Sequence, residues 1–416
     1  MPVQASKLEI SVCLIVKNEA TCLTKCLNSV QEIATEIIVV DTGSTDETVS
    51  IASSFTDRVF MFLWNNDFAA ARNYAISKAR CEWILFIDAD EQLQCLLPIV
   101  QLAPTSQTGA YVFPREDHYI DLATGKKDAY VVGMVRLFRN KPEIRYRHSI
   151  HEEVHTSVLE AGWHIEVTDH LRLHHQVAAS SAAKLEQKQR YYLDLLAAAL
   201  KEQPGDAWLL YHQAKTFWFL DDTDKAFDIF SKVSQLAKLP YLQAAAWNQM
   251  ATLRMNAGQY EEAKFLVEKS LSQVPNQSVG YLIQHDLCYH QHQYEEALIA
   301  LQSVKTHLRD TSWSDVIAGD FYHHVGLVNY KTGCVYLAIG LEDKAVAIFE
   351  KGSVAHPDVM ANENQSHRSD CLYALALYYT RKGEAGKARQ YIGECLQIDE
   401  GWLQAQVLEE YLSAES

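Results

Sequence analysis

The sequence predicts an α/β domain with a mostly parallel sheet, followed by an all-α solenoid of helical repeats. From Leu8 to about Val177, short runs of β-forming residues alternate with helical segments. After about Ser180 the strand signals vanish, and Ala, Leu, Tyr, Glu and Lys dominate. Strands that alternate with helices are typical of a parallel sheet covered on both faces. A chain of 416 residues is also too long for one core, so we expect two or three domains.

Composition and charge narrow the class of protein. Hydrophobic residues make up 48% and charged residues 22%, which supports packed cores and excludes global disorder. The formal net charge of −16 opposes nonspecific binding to nucleic acid or anionic membranes. No apolar run approaches the roughly 20 residues that cross a bilayer, and the opening MPVQASKLE is too polar for a signal peptide. The nine scattered cysteines indicate no disulfide framework, so we expect a cytoplasmic protein.

Polar residues follow the predicted strands of the first domain. The strands are Ile10–Val16, Glu36–Val40, Arg58–Trp64 and Trp83–Ile87, with helices predicted over 20–30 and 45–55. In open α/β sheets, ligands bind beyond the carboxyl ends of the strands. The residues that follow the strands are therefore site candidates: Lys17, Asn18, Glu19, Asp41, Asp88 and Asp90.

Asp88-Ala89-Asp90 follows a fully apolar strand. If the extended geometry persists, alternate residues share a face, so the two carboxylates point the same way and repel unless a cation joins them. Hard oxygen ligands at this spacing suit Mg²⁺ or Mn²⁺, which complete their shell with phosphate oxygens and water. The motif predicts a divalent metal that carries a nucleotide diphosphate.

Asp41 ends the second strand, and Gly43 and Ser44 supply a turn before a helix. The Asp41 carboxylate can accept hydrogen bonds from a ribose or a base edge. For Asp46, at the start of the following helix, capping of free amides is an alternative without any ligand.

Four blocks in order, ISVCLIVKNEA, EIIVVDTGSTDET, AAARNYAISKARCEWILFIDADE and RLFRN…HSIHEEV, resemble the family 2 glycosyltransferases with the GT-A fold. The resemblance covers about Leu8 to Val177. It extends to bacterial members that join the transferase to tetratricopeptide repeats, a group that includes enzymes that glycosylate peptides.

The resemblance implies roles for individual residues. The nucleotide site would be lined by Lys17, Asn18 and Glu19, and Asp41 would contact the uridine. The nucleotide or donor sugar would be approached by Arg72 and Asn73. Asp88 would contact the ribose or metal, and Asp90 would bind the metal. A guanidinium suits phosphate or sugar hydroxyls, although a surface salt bridge for Arg72 and helix capping for Asn73 are alternatives.

RYRHSIHEEVHTSV, at 145–158, concentrates three histidines and two glutamates in eight positions. On a presumed strand, His151, Glu153 and His155 share one face. An inverting transfer needs a general base that deprotonates the acceptor, and we assign that role to Glu152, with Glu153 second. Solvated strand residues are the alternative. A zinc site is disfavoured because no cysteine is present.

LRLHHQV, at 171–177, aligns with a strand that carries a histidine in related enzymes. The resemblance implies His174 as a metal ligand. The family has an aromatic-glycine-tyrosine segment next, whereas this chain has His175-Gln176-Val177, and this departure leaves His175 open as the ligand.

The second half of the chain contains a repeat. Its anchors are Ala226, Ala263, Ala297, Ala345 and Ala388, separated by 37, 34, 48 and 43 residues. Twelve residues before four of the anchors lies a small residue: Ala214, Ala251, Gly333 and Ala376. Small residues let antiparallel helices pack closely, and the pattern resembles the tetratricopeptide repeat. We predict a GT-A domain at 1–178, a linking helix at 179–205, and about five repeats within 206–416.

The sequence predicts an inverting, metal-dependent glycosyltransferase that moves a hexose or N-acetylhexosamine from a UDP-sugar, with Mn²⁺ or Mg²⁺. The repeats favour a peptide or protein as acceptor or partner, since solenoids present extended binding surfaces. The alternative is an inactive transferase-like scaffold for protein partners. A nucleotidyltransferase is disfavoured because VKNEATC has no glycine. The sugar and the acceptor stay open.

Overall fold

The computed structural model describes residues 8–99, 102–121, 123–176, 182–306, 312–313, 325–354 and 365–414. Val177 and the predicted boundary between 178 and 179 lie outside the described residues. Among the described residues, no helix is long and apolar enough to cross a membrane.

The first half of the chain forms one mixed sheet with helices on both faces. Its strands are β1 (Ile10–Val16), β2 (Glu36–Asp41), β3 (Val59–Met61), β4 (Trp83–Phe86), β5 (Glu91–Cys95), β6 (Thr108–Ile120), β7 (Lys127–Arg139), β8 (His164–Val167) and β9 (Leu171–Gln176). Its helices are α1 (Leu23–Val30), α2 (Thr48–Phe55), α3 (Phe68–Lys78) and α4 (His155–Glu160). The strand order is β3-β2-β1-β4-β7-β6-β9-β5, and β8 pairs with β6.

The two ends of the sheet differ in direction. Strands β1 to β4 pair in parallel, as the sequence predicts. Beyond β4, antiparallel pairs enter, because β7 runs against both β4 and β6, while β9 runs parallel to β6 and against β5. The α/β prediction is confirmed, and the second half of the sheet brings strands from distant parts of the chain to the same edge.

Alternation along β1 explains why helices cover both faces. Val12 and Leu14 point into a core that contains Leu23 and Leu27 of α1. Cys13, between them, points into the opposite core with Ile76 of α3. A strand buried on both faces is expected to be almost entirely apolar, and β1 is apolar except for Ser11.

The second half consists of helices. In the part of the chain that the structure describes, one helix, α5 (Ala182–Glu202), precedes five helical pairs. The pairs are α6 (Ala207–Phe219) with α7 (Thr223–Leu236), α8 (Pro240–Asn256) with α9 (Tyr260–Gln273), α10 (Ser278–His290) with α11 (Tyr294–Gln302), α12 (Val325–Ala338) with α13 (Glu342–Ser353), and α14 (Gln365–Arg381) with α15 (Ala385–Ile398). A last helix, α16 (Leu403–Ala414), follows them.

The repeat anchors have the environment that the sequence pattern predicts. Each of the five alanines lies in the second helix of its pair, and each is fully buried. Gly333, one of the small residues, packs against Phe349 of the paired helix so closely that an added Cβ would lie 2.3 Å from the ring. Small residues at these positions therefore set the helix spacing.

Both ends of the helical half contact the α/β domain. At one end, Trp208 of α6 donates its indole N–H to the carbonyl oxygen of His151 over 2.8 Å. At the other end, the turn between β6 and β7 meets the last helices, where Lys126 pairs with Asp370 at 2.7 Å. The solenoid therefore returns to the domain from which it starts.

Candidate active site

The loops after β1 and β2 are joined by side-chain hydrogen bonds. Asn18 adopts a positive φ of 57°, and its amide oxygen accepts from the backbone N–H of Thr45 over 2.8 Å. The backbone N–H of Glu19 donates to Thr48 Oγ1 over 2.7 Å. Lys17 and Glu19 line the main cavity of the molecule, whereas Asn18 shapes the loop. Burial raises the pKa of Glu19, with nearby Asp90 adding to the effect.

Asp41 lies at the end of β2, where its side chain is fully buried. Its carboxylate accepts from the backbone N–H groups of Gly43 and Ser44 over 3.0 to 3.1 Å. These contacts form the turn into α2. The residue does not line the main cavity of the described chain, so its contact with a uridine stays a prediction.

Arg72 joins two acidic groups of the cavity. The α3 helix that carries it begins at an Asp67 cap, which accepts from Ala70 N–H over 2.8 Å. The Arg72 guanidinium is buried, and it contacts Asp88 through Nη2 at 2.9 Å and Glu152 through Nε at 2.7 Å. Its Nη1 has no hydrogen-bond partner among the described residues. Arg72 is thus a buried cation that forms ion pairs with two carboxylates, and its Nη1 atom is also buried.

Asp88 is held by a second arginine as well. Arg136 of β7 contacts the Asp88 carboxylate at 2.5 Å and Glu91 at 3.2 Å. Burial would raise the pKa of Asp88, but the charges of Arg136 and Arg72 outweigh burial and hold it well below its usual range. Asp88 is therefore ionised and already neutralised by protein cations.

Asn73, next to Arg72, turns away from the cavity. Its side-chain amide donates to the carbonyl oxygen of Tyr146, and its amide oxygen accepts from the Tyr146 N–H, both over 2.9 Å. This double contact clamps α3 to the segment before Glu152. The structure thus corrects the expectation that Asn73 approaches the nucleotide or donor sugar.

Asp90 has a different environment from Asp88. The chain leaves β4 at Phe86 and turns at Ala89 and Asp90, so the extended geometry expected from the sequence does not persist. The Asp90 side chain is half exposed, and its carboxylate lies 3.2 Å from His175 Nε2. It lines the cavity and is accessible to a cation.

His175, and not His174, is the histidine at this position. Successive residues of β9 point to opposite faces, so His175 faces Asp90 while His174 contacts Glu116 on the other side. This corrects the sequence-based order of the two histidines. Asp117 accepts from His175 Nδ1 at 2.6 Å. Burial lowers the pKa of His175, but hydrogen bonds to Asp117 and Asp90 outweigh it and raise the pKa to about 9.

The histidine-rich segment is a loop and not a strand. His148 and His151 have φ values of 66° and 52°, which a strand excludes, and α4 begins at His155. This corrects the expected alternation of His151, Glu153 and His155. Glu152 and Glu153 both line the cavity.

The two candidate bases differ in their partners. Arg72 engages Glu152 Oε1, and Oε2 makes no hydrogen bond to the described residues. Glu153 contacts His155 Nδ1 at 2.9 Å and accepts from Thr156 N–H over 2.8 Å. Burial would raise the pKa of Glu153, but His155 and these hydrogen bonds lower it to about 2. A carboxylate with so low a pKa is a weak base.

The cavity between these groups has a volume of about 970 Å³. One wall carries the charged residues Arg72, Asp88, Asp90 and Glu152, and the other is mainly aromatic and comes from the helical half and Trp313. The aromatic members are Tyr191, Tyr192, Trp208, Tyr241 and Trp313. Sequence reasoning missed this wall, Arg136 and Asp117, because no local motif shows which distant residues meet.

Acidic and guanidinium groups thus line one cavity at the carboxyl ends of the parallel strands, which is where open α/β domains bind their ligands. A family model described as glycosyl transferase family 2 matches residues 11–158. Tetratricopeptide repeat models match residues 244–276 and 369–415. Residues 11–158 are thus a family 2 glycosyltransferase domain, and tetratricopeptide repeats follow it.

Of two similar proteins, one is named for its repeats and the other as a glycosyltransferase. A TPR repeat-containing protein of Synechococcus elongatus is 36% identical over 168 residues, 39% of this chain and 40% of that protein. The glycosyltransferase SunS of Bacillus subtilis is 30% identical over 226 residues, 53% of this chain and 51% of that protein. The chain thus spans about half the length or less of these relatives.

The helical half is similar to solved repeat structures at low identity. The Cut9 and Hcn1 assembly gives a TM-score of 0.40 at 14% identity, covering 55% of this chain and 40% of that chain. The yeast Tom70 structure gives 0.40 at 16% identity, covering 54% and 43%. Scores of this size carry no further conclusion.

Proposed function

We propose that this protein is an inverting glycosyltransferase that moves a sugar from a UDP-sugar to an acceptor bound in the cavity. The observation that supports the proposal is the meeting of Asp88 and Glu152 on Arg72, because a diphosphate bound near Asp88 and an acceptor bound near Glu152 would then be neighbours. Family 2 transferases use nucleotide sugars, and a buried guanidinium that holds both carboxylates fixes the geometry of the site around such a ligand.

The metal-binding residues would be Asp90 and His175. A carboxylate and an imidazole fit a divalent cation such as Mn²⁺, and Asp117 holds the second imidazole nitrogen as outer partners of metal ligands do. Asp88 fits this role less well, because two arginines already neutralise it. A bound divalent metal would supply positive charge to the departing diphosphate.

Glu152 is the proposed general base. Its carboxylate takes the proton of the acceptor nucleophile as the nucleophile forms a bond to the anomeric carbon. The bond from that carbon to the diphosphate oxygen breaks, and UDP leaves with the electron pair. Arg72 fixes one oxygen of Glu152, which leaves Oε2 for the acceptor. Glu153 is the weaker candidate because its pKa of about 2 makes it a poor proton acceptor.

A peptide is the proposed acceptor class. The aromatic residues line the same cavity as the charged residues, and rings bind apolar side chains and backbone faces well. The wall is connected to the base, since Trp208 donates to the carbonyl oxygen of His151 over 2.8 Å. The repeats thereby supply acceptor contacts to a site whose chemistry belongs to the first domain.

The test is Glu152→Gln with Glu153→Gln as the matched control. General base catalysis contributes about 10² to 10⁴ in rate, so Glu152→Gln should lose that much turnover while UDP binding, measured by calorimetry with Mn²⁺, is retained. Glu153→Gln should lose less. Turnover of Glu152→Gln within a few fold of wild type would exclude it as the base.

The rival function is a binding scaffold without catalysis. It predicts no UDP release from any UDP-sugar, with or without captured peptides, and no metal-dependent UDP binding. Asp90→Asn provides the discriminating variant. If UDP binds wild type more tightly with Mn²⁺ than without, and Asp90→Asn removes this gain, the enzyme is favoured. If metal changes nothing in either protein, the scaffold is favoured.

A further inference from the structure

A second histidine cluster lies on the opposite face of the strands that carry Asp117 and His175. In β6 and β9, Glu116 pairs in register with His174, and Asp117 pairs with His175. Because successive strand residues face opposite sides, one pair points to Asp90 and the other points away. Glu116 and His174 meet His118 there.

Two of the three donor separations in this cluster match those of ligands on one metal ion. Glu116 Oε2 lies 3.3 Å from His118 Nε2 and 3.3 Å from His174 Nδ1. Charge-assisted hydrogen bonds between such groups are shorter, at about 2.7–2.9 Å. Ligands held by one tetrahedral Zn²⁺ at about 2.0–2.1 Å are separated by about 3.3–3.4 Å. The three donor atoms all lie within 4.8 Å of one another.

The tautomer of His174 adds a second argument. Its Nε2 lies 2.8 Å from Gln94 Oε1, an atom that can only accept, so Nε2 carries the hydrogen. In the neutral ring, Nδ1 then presents a lone pair to the Glu116 carboxylate. A positive charge between Nδ1 and the carboxylate, either a proton on the ring or a metal ion, would join these two atoms at 3.3 Å.

The Glu116 carboxylate is buried and has ion-pair neighbours, but no contact with the geometry of a hydrogen bond. The Glu116 residue is 1% exposed, and neither of its oxygens has a hydrogen-bond partner among the described residues. Arg172 Nη1 lies 3.1 Å from Oε1 and partly balances the charge, which leaves Oε2 to the histidines. The two histidine side chains are each 25% exposed, so an ion has a path from solvent.

We infer that Glu116, His118 and His174 form a zinc site, separate from the cavity and independent of the proposed transfer. Two imidazoles and one carboxylate are a donor set that Zn²⁺ accepts, with water in the fourth position. The Gln94 contact is the outer partner that fixes the ring of His174. The ion would link β6 to β9 and hold the register that also positions Asp117 and His175.

The test is calorimetry of ZnCl₂ with metal-stripped full-length protein and three variants. His118→Gln removes one ligand, and we expect it to weaken one zinc equivalent by roughly tenfold or more, since even outer partners of metal ligands are worth about 10–100-fold. His164→Gln is the matched control, because His164 is an exposed histidine on β8, which also pairs with β6. Asp90→Asn separates this site from the cavity.

Zinc binding by the three variants tests whether Glu116, His118 and His174 form the site. One zinc equivalent should bind with wild-type affinity in His164→Gln and in Asp90→Asn, and roughly tenfold or more weakly in His118→Gln, at unchanged melting temperature of the metal-free protein. X-ray absorption of the zinc complex should show nitrogen and oxygen ligands with no sulfur. Absence of zinc binding in wild type, equal binding by His118→Gln, or loss of the last equivalent in Asp90→Asn would each overturn it.

Discussion

Arg72 holds two carboxylates with one planar guanidinium, through Nη2 to Asp88 and Nε to Glu152. A lysine ammonium cannot reproduce this fork, because it offers one compact charge on a flexible stem. We expect Arg72→Lys to leave Asp88 or Glu152 misplaced and to reduce turnover by roughly 10²-fold, the cost of about 1 Å of misplacement at a reacting centre. The turnover of Arg72→Lys and of wild type is measured as steady-state release of UDP.

Arg58→Lys is the matched control. Arg58 pairs with Glu36 at 2.8 Å with its side chain only 15% exposed, in the same domain but away from the cavity lining. The Arg58→Lys variant should release UDP at the wild-type rate. If both variants lose activity equally, general destabilisation and not the bridging of the cavity explains the effect.

His151 and His212 form a buried stack that predicts acid sensitivity. Their rings lie 4.0 Å apart at an interplanar angle of 9°. Burial, with the charge of Lys215, lowers the pKa of His151 from 6.5 to about 4. Burial also lowers the pKa of His212, with His151 and Lys215 adding to the effect. Both rings are therefore neutral in the folded protein at neutral pH.

The folded protein is expected to lose stability as the pH falls, because the unfolded chain then binds more protons than the folded chain. Below pH 6.5 the unfolded chain protonates these histidines while the folded chain does not, so stability is full above pH 6.5 and falls as the pH drops towards 4. The His151 shift corresponds to a loss on the order of 3 kcal/mol. The melting temperature should drop over this window, and less so in His212→Phe. The same pH dependence in His212→Phe and in the exposed-site control His164→Phe would contradict it.

At the residue scale, the sequence predicted which residues line the cavity better than it predicted which way individual side chains point. Asp88, Asp90, Arg72 and Glu152 do line one cavity. Asp88 and Asp90 follow β4 and Arg72 lies on α3, whereas Glu152 reaches the cavity from a loop. The choice between His174 and His175 depended on which face of β9 points to Asp90. No local sequence pattern shows which of the two faces this is, since each face of β9 carries a histidine.

At the element scale, periodicity predicted what is local. Strands β1, β2 and β4 lie where the apolar runs predict them, whereas β3 is shorter than the expected Arg58–Trp64 because only Val59–Met61 pairs with β2. The segment around Glu152 was predicted as a strand. Positive φ at His148 and His151 makes it a loop, and alternation of polar residues cannot show such backbone conformations.

The close helix packing in the repeats predicts a cost for a single methyl group. In Gly333→Ala, the new Cβ would lie 2.3 Å from the Phe349 ring. The ring or the helix must move, and overpacking of this kind costs about 1–3 kcal/mol. We expect a lower melting temperature, measured by calorimetry or circular dichroism.

Gly393→Ala is the matched control, because Gly393 lies inside α15 and an added Cβ meets nothing within 4 Å. Alanine is favoured over glycine in a helix interior by about 1 kcal/mol, so this variant should melt at the same or a higher temperature. Equal behaviour of the two variants would show that α12 and α13 are not in close contact at Gly333.

At the scale of the whole molecule, the turn between β6 and β7 closes the protein into a ring. The Lys127 N–H donates to Asp399 Oδ1 over 2.7 Å, and the Leu403 N–H donates to the Thr124 carbonyl oxygen over 2.9 Å. This contact lies between the catalytic domain and the last repeat, so the aromatic wall from α6 and α8 is held in a solenoid anchored at both ends. Neither end is visible in a local sequence motif.

Gly125 tests this closure. It has a φ of +69°, and an added Cβ would lie 2.1 Å from the carbonyl oxygen of Gly401. Gly162 provides a matched control, with a φ of +80° and nothing within 4 Å of its added Cβ. Alanine at either site carries the left-handed strain of about 1–2 kcal/mol, but only Gly125→Ala also pushes the last repeat away. We expect faster amide hydrogen exchange in α16 and in the β6–β7 turn of Gly125→Ala, measured by mass spectrometry, and unchanged exchange there in Gly162→Ala. Equal exchange in both variants would mean that the ring is not closed at this contact, because strain alone acts on both glycines while only the clash with Gly401 opens the interface.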